Sequence, residues 1–265
     1  MIRLEKVRVL FNQGTALEKV VLKNISLTIE EGEVVTVIGG NGAGKSTLLN
    51  VLTGDINISQ GRIFFEETDV TRWSSEKRAR MVARVFQDPL IGTCGTLTVE
   101  ENLALAFYRG KNLGLGFALS PKNRKIFITF LERLNLGLEK RLRDPIGLLS
   151  GGQRQAISLI MAALSPMQIL VLDEHTAALD PRTAAFIIQL TRNIILEKNL
   201  TVLMVTHSMH QALEVGNRTL MLTEGEIVFD VKGEERSKLK EDDLLKLFKE
   251  VVHKTGEEDE FLLNS

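Results

Sequence analysis

Gly39-Gly40-Asn41-Gly42-Ala43-Gly44-Lys45-Ser46-Thr47 follows directly on the apolar run Val34-Val35-Thr36-Val37-Ile38. The spacing is G-x-x-x-x-G-K-S, and beyond it Leu48, Leu49, Val51 and Leu52 repeat at helical spacing until Gly54, a suitable helix end. A glycine loop between a buried strand and a helix lets successive backbone N–H groups turn inward on an anion, because no Cβ blocks the backbone angles required. The helix that follows adds the positive end of its dipole. Lys45 supplies a mobile ammonium for β- and γ-phosphates, and the Ser46 hydroxyl is placed to ligate the magnesium that accompanies them. Gly39, Asn41, Gly42, Ala43, Gly44, Lys45, Ser46 and Thr47 are therefore candidate nucleotide-binding residues. An ordinary glycine-rich turn ahead of a lysine would not need strand, loop and helix in this order.

Composition narrows the classes around that loop. With 265 residues, the chain can bury a full core as one large domain carrying an insertion. Its 33 basic and 34 acidic side chains give no global electrostatic reason to expect nucleic acid as a partner. Cys94, the single cysteine, can form no intrachain disulfide and belongs to no metal-ligand spacing, which fits a reducing, cytoplasmic setting. The longest uninterrupted apolar runs, Leu103 to Tyr108 and Leu159 to Leu164, have six residues each, whereas a membrane span needs about 20. Residues 1–6 alternate apolar and charged like a strand and lack the apolar core of a signal peptide, so export is not expected.

The rest of the chain reads as α/β. Alternating runs from Ile2 to Phe11 and Val20 to Ile29, with the turn-prone Asn12-Gln13-Gly14 between them, predict an antiparallel β-layer. Phe11 admits two readings: an aromatic ring at the layer's end stacking on an adenine face, or a core-facing side chain in step with Val7 and Val9. Gly61 to Phe65 predicts a further strand and Trp73 to Arg80 a short charged helix capped by Ser74 or Ser75. The run Val82 to Phe86 closes on Gln87-Asp88-Pro89, and from about residue 89 to 165 the pattern suits an inserted helical subdomain. Its first helix opens at Thr98, with Glu101 completing a capping box. A second, from near Ser120 to Leu136, carries Ile126, Phe127, Phe130, Leu131 and Leu134 on one stripe. Strand and helix then alternate again, and an amphipathic helix from Asp242 to Val252 precedes an acidic, solvated tail at residues 256–260.

Four apolar strands finish on residues that phosphate chemistry can use: Ile38 into the loop, Phe86 into Gln87, Leu172 into Asp173-Glu174, and Val205 into Thr206-His207. In a parallel α/β sheet the carboxyl ends of strands share one edge, where ligands bind, so these residues are expected to face one magnesium nucleotide. Asp173 suits a magnesium partner, and Glu174 suits a base or orienting group for an attacking water. Gln87 could reach the metal or the water through its amide, and His207 could hydrogen-bond a γ-phosphate. The string Leu149-Ser150-Gly151-Gly152-Gln153-Arg154-Gln155 heads another helix, with Ser150 as its cap and glycines that permit close approach, a second phosphate-reading N-terminus.

GGNGAGKST, Gln87, LSGGQRQ, ILVLDE, Ala178-Leu179-Asp180 and His207, in this order, resemble the ATP-binding subunit of an ABC transporter, over about residues 1 to 230. The resemblance implies a P-loop NTPase core with a mainly parallel sheet, an N-terminal antiparallel β-layer and an inserted helical subdomain. Residues 231–265 would form a C-terminal helix and tail. It further implies ATP and Mg2+ as cofactors and a second ATP-binding subunit, read as an identical chain, packed head to tail. Ser150, Gly151, Gly152 and Gln153 of one copy would then meet the nucleotide on the other's P-loop, and Asp180 would lie in the loop that crosses the interface. Partners would include integral membrane permease subunits and a solute-binding protein, at the cytoplasmic face of the membrane, with no nucleic acid. A soluble ABC ATPase acting as an assembly scaffold, of the iron–sulfur biogenesis type, is the alternative. The chain departs from the family in three places: His175 stands where proline usually follows the catalytic glutamate, Met161 replaces a frequent arginine, and Phe11 replaces a frequent tyrosine.

Overall fold

The computed structural model describes residues 1–111 and 118–255, with side chains through Val251, so the expected acidic tail lies outside the described residues. Two compact units partition the chain, Met1–Arg78 with the segment from Leu200 onward, and Ala79–Asn199.

In the first unit, β1 (Ile2–Phe11) pairs antiparallel with β2 (Lys19–Ile29), as the alternation predicts. Strict period two would put Lys6 on the buried face with Ile2 and Leu4. A register shift between Leu4 and Val7, with Lys6 at φ 47°, resets the phase so that Val7 and Val9 are buried instead. β3 (Val34–Ile38) is buried along its whole length, and the P-loop leads from it into α1 (Lys45–Thr53), which stops at Gly54. β4 (Gln60–Phe65) and β5 (Thr68–Asp69) complete the antiparallel layer in the order β2-β1-β4-β5. The helix expected from Trp73 to Arg80 is only α2 (Ser75–Arg78). Its charge does not face solvent throughout: the buried Arg78 guanidinium donates to the carbonyls of Val51 and Leu52, in the last turn of α1, and of Val70 and Thr71. Burial pushes its pKa down to about 10.

The second unit contains β6 (Val82–Val85), α3 (Val99–Phe107), α4 (Pro121–Glu132), α5 (Gly151–Ala163), β7 (Ile169–Asp173) and α6 (Pro181–Lys198). The capping box at α3 forms as expected, with the Thr98 hydroxyl accepting from Glu101 N–H and the Glu101 carboxylate accepting from Thr98 N–H. α4 ends four residues before Leu136, because Asn135 (φ 52°) and Gly137 (φ 69°) take the left-handed conformation that closes a helix. Of the predicted stripe, Phe127, Leu131 and Leu134 are buried, and the Arg124–Glu100 pair joins α4 to α3. β6 and β7 run parallel.

The first unit then resumes with β8 (Val202–Val205), α7 (Met209–Val215), β9 (Arg218–Thr223), β10 (Glu226–Lys232), α8 (Gly233–Lys238) and α9 (Glu241–Thr255). β3 lies between parallel β8 and β9, and β10 pairs antiparallel with β9. A strand with neighbours on both edges and cover on both faces needs a mostly apolar run, and the one hydroxyl of β3, on Thr36, is buried and donates to the Arg218 carbonyl at 3.1 Å. The amphipathic face of α9 supplies part of that cover: Leu244 and Phe248 are buried in one cluster with Ile38, Met209, Ala212 and Met221.

Candidate nucleotide-binding and hydrolysis site

Register decides which residues of the first unit meet. Val37 is level with Val205 in the β3–β8 ladder, so Gly39 and His207, two residues further on, leave the sheet at the same edge. That is the carboxyl edge, where ligands bind in parallel sheets. A Cβ on Gly39 would stand 2.1 Å from the Leu222 carbonyl oxygen, so the first turn of the loop admits only glycine. Gly44, at φ 101°, is the N-cap of α1, and no side chain caps the helix's first amides. N–H groups at such a helix start, at the positive end of the dipole, are of the kind that receive an anion. Lys45 is buried, and its Nζ donates to the carbonyls of Gly39 at 2.7 Å and Gly40 at 2.8 Å, which keeps the ammonium over the loop. Asn41, Gly42 and Ser46 are exposed around it, whereas Ala43 and Thr47 are buried. Phe11 is 38% exposed at the end of β1, which removes the core-facing reading and leaves its ring open to a ligand. His207 is half-buried ahead of α7, whose N-cap, Ser208, accepts from Gln211 N–H at 3.2 Å.

The same arithmetic applies in the second unit. Val85 is level with Leu172, so Gln87 and Glu174 leave their strands together. Asp173 ends β7, and its carboxylate is paired with Arg84 of β6 at 2.6 Å, with side-chain exposures of 14% and 12%. The Arg84 guanidinium also lies over the Phe86 ring, 4.5 Å from its centroid. Phe86, in turn, accepts a hydrogen bond at its carbonyl from Nε2 of the buried Gln155 in α5, at 3.1 Å. The carboxylate, the strand leading to Gln87 and the helix behind the LSGGQ string are thus linked through side chains. Arg84 escapes a motif reading, and the LSGGQRQ string includes Gln155 without showing its tie to Phe86. The signal for Arg84 was a lone cation inside the apolar run 82–86, which must find an anion if the strand is buried.

Glu174 adopts φ 44°. Its neighbour His175 is 1% exposed, and burial pushes the imidazole pKa down to about 4. Ser150 caps α5 in a full capping box: its hydroxyl accepts from Gln153 N–H at 3.3 Å, and the Gln153 Oε1 accepts from Ser150 N–H at 3.1 Å. Asp180 caps α6 by accepting from Thr183 N–H at 3.1 Å, and that residue's hydrogen bonds draw the carboxyl below its usual pKa. The two caps are neighbours. A Cβ on Gly152 would stand 2.3 Å from Thr183 Cγ2, so the glycine lets the starts of α5 and α6 come together.

A phosphate-binding loop, strand-end carboxylates and a second glycine-rich helix start define a P-loop nucleotide hydrolase. Residues 22–177 match the profile of the ABC transporter family. The chain is 47% identical over 232 residues to a tyrosine transport ATP-binding protein of Clostridioides difficile, covering 88% of this chain and 92% of the relative. It is 31% identical over 238 residues to the phosphonates import ATP-binding protein PhnC of Fusobacterium nucleatum, covering 87% and 93%. Among solved structures, the dimeric ATP-binding cassette MJ0796 in a post-hydrolysis state bound to ADP and Pi superposes with a TM-score of 0.75 at 28% identity, covering 88% of this chain and 98% of that one. The chain belongs to the ABC transporter family as an ATP-binding subunit, and it is an ATPase.

Proposed function

We propose that two copies of this chain close head to tail around two ATP molecules and, on opening after hydrolysis, drive permease subunits that import a small organic solute. The observation that carries this reading is the 47% identity with a tyrosine transport subunit over nearly the whole chain, which makes an amino acid the first cargo class to test. The import function of the PhnC relative supports the direction, and the dimeric state of MJ0796 supports pairing. Both relatives are transport subunits, which leaves the soluble-scaffold alternative without support. Among the described residues no helix is long and apolar enough to cross a membrane, so a transport role calls for membrane partners. The segment after Gln87 carries exposed Leu90 and Ile91, and α3 carries exposed Leu105, side chains suited to docking on such a partner. A solute-binding protein and a place at the cytoplasmic face belong to the same reading.

Within the site, the P-loop amides and Lys45 would hold the phosphates, Phe11 would stack on the base, and His207 would hydrogen-bond the γ-phosphate. Ser150, Gly151, Gly152 and Gln153 would read the triphosphate of the facing copy, with Asp180 beside them. Glu174 would take the proton of the attacking water while Gln87 orients it. Each candidate donor suits magnesium, a hard cation that takes oxygen ligands and usually only one or two carboxylates: Ser46 offers an exposed hydroxyl in the first unit, and Asp173 a carboxylate in the second. When bound, magnesium supplies neutralisation of the charge that develops on the phosphates.

Fractionation of the native cell tests the transport reading. The chain should pellet with membranes through an integral partner and come off under conditions that strip peripheral proteins. A chain that stays soluble with its neighbours intact would sink the proposal. Glu174→Gln should bind ATP, nearly abolish turnover and accumulate a nucleotide-bound dimer, and normal turnover would remove Glu174 from its role.

A further inference from the structure

The connection from β7 to α6 carries Glu174 in a conformation that a non-glycine residue adopts at a cost, φ 44°. Such a backbone persists only where its surroundings over-determine it. The residue usually found next in the family, proline, would stiffen the chain by its own ring, and His175 has no such restriction. It is anchored by other means. His175 Nε2 lies 3.0 Å from the hydroxyl oxygen of Thr191, and both side chains are buried. Thr191 belongs to the third turn of α6, and its hydroxyl donates to the Ile187 carbonyl at 2.8 Å, one turn back. With its hydrogen committed there, the hydroxyl oxygen accepts, so His175 Nε2–H donates and Nδ1 keeps the lone pair. Nδ1 has no hydrogen-bond partner among the described residues. The ring is therefore fixed at one end, by Thr191. Two backbone hydrogen bonds, Ala177 N–H to Glu174 O at 2.9 Å and Leu179 N–H to Thr176 O at 3.2 Å, shape the rest of the segment up to Asp180, the cap of the same helix.

We infer that His175 is a positioning residue, which through its hydrogen bond to Thr191 locks the β7–α6 connection and so holds Glu174 in the geometry that hydrolysis requires. The inference rests on Glu174 being the group that serves the attacking water. It assigns to one buried side-chain pair, tied to the middle of α6, the stiffness that a proline would give covalently. It also couples Glu174 to Asp180, since Thr191 and Asp180 ride on one helix.

The test uses the full chain with Thr191→Val, which removes the acceptor at nearly constant shape, Thr191→Ser, which keeps it, and His175→Gln, whose amide nitrogen can take the place of Nε2. Thr191→Val should lower kcat for ATP about tenfold while KM stays within about twofold, and Thr191→Ser and His175→Gln, which keep the hydrogen bond, should retain most of the wild-type kcat. Amide hydrogen exchange of residues 174–180 in the nucleotide-free chain should quicken at least about tenfold in Thr191→Val, with β7 and α6 themselves unchanged. Unchanged kcat and unchanged exchange in Thr191→Val would overturn the inference, as would a general quickening of exchange across the unit with kcat and KM altered together. Glu174→Gln separates the two layers. If it is inactive and Thr191→Val is normal, the clamp is wrong and the reading of Glu174 stands. If it turns over normally, the reading fails, and the exchange data alone decide whether the clamp exists.

Discussion

Removing the Arg84 guanidinium is the sharpest perturbation available to the strand-end carboxylate. Arg84→Met keeps most of the side-chain volume and deletes a 2.6 Å ion pair whose partners are 12% and 14% exposed. Stripping one partner from a fully buried pair costs about 3–5 kcal/mol, because the other charge is left in a poorly solvated place. The residual exposure of Asp173 lets some water reach it, which brings the expectation to about 2–3 kcal/mol, including up to about 1 kcal/mol from the lost contact with the Phe86 ring. Asp173→Asn should cost a similar amount. The double variant should be more stable than the sum of the two by at least about 1 kcal/mol, since neither charge is then left alone. Urea unfolding of the nucleotide-free chain measures all four proteins, with hydrogen exchange of β6 and β7 to locate the loss. A cost below about 1 kcal/mol for Arg84→Met, or full additivity in the double variant, would refute the reasoning.

Lys45→Ala should weaken ATP binding at least about tenfold, since a charge-assisted hydrogen bond contributes about 1.5–3 kcal/mol, and unchanged affinity in a fluorescent-nucleotide titration would count against the P-loop assignment. Gly39→Ala should destabilise by more than about 2 kcal/mol, because its Cβ would stand 2.1 Å from a backbone oxygen, whereas Gly42→Ala meets nothing within 4 Å and should cost only the ~1–2 kcal/mol of its φ of 79°; equal melting shifts would contradict this. For His175, the folded pKa of about 4 lies below the ordinary value of 6.5. Above pH 6.5 the ring is neutral in both states and adds no pH dependence. Between 6.5 and 4 the unfolded chain binds a proton that the folded chain excludes, so stability falls as pH drops, by about 3 kcal/mol in all. His175→Gln should lack that component, and parallel stability–pH curves for the two proteins would show the ring is not responsible.

What could be read from sequence was what depends on neighbours a few residues away. The P-loop, the capping box at Thr98 and the cap at Ser150 are local devices, since the backbone groups they satisfy lie within one turn. The strand ends were legible because a continuous apolar run in an α/β pattern implies a parallel sheet, and a parallel sheet implies a shared edge. Contacts made at long range were not. Arg84 and Asp173 are 89 residues apart, and nothing near either one specifies the other. Arg78 reads in the sequence as part of a short charged helix, but its guanidinium caps carbonyls of α1 across 27 residues. The early end of α4 also escaped notice, because Leu134 and Leu136 continue the apolar stripe while Asn135 and Gly137 quietly turn the backbone. His175 was visible only as a departure from a pattern. Its partner, 16 residues on in a helix, is a threonine that no motif marks.

The lone cysteine gives the molecule a ready handle for spectroscopy. Cys94 is exposed, and the Thr96 hydroxyl 3.6 Å away draws its thiol below the usual pKa, which raises the fraction present as nucleophilic thiolate. A maleimide dye or a spin label would attach at one known point per chain without prior removal of competing thiols. In a pair of identical chains the two probes would form a built-in ruler, readable by energy transfer or dipolar coupling through each round of nucleotide turnover.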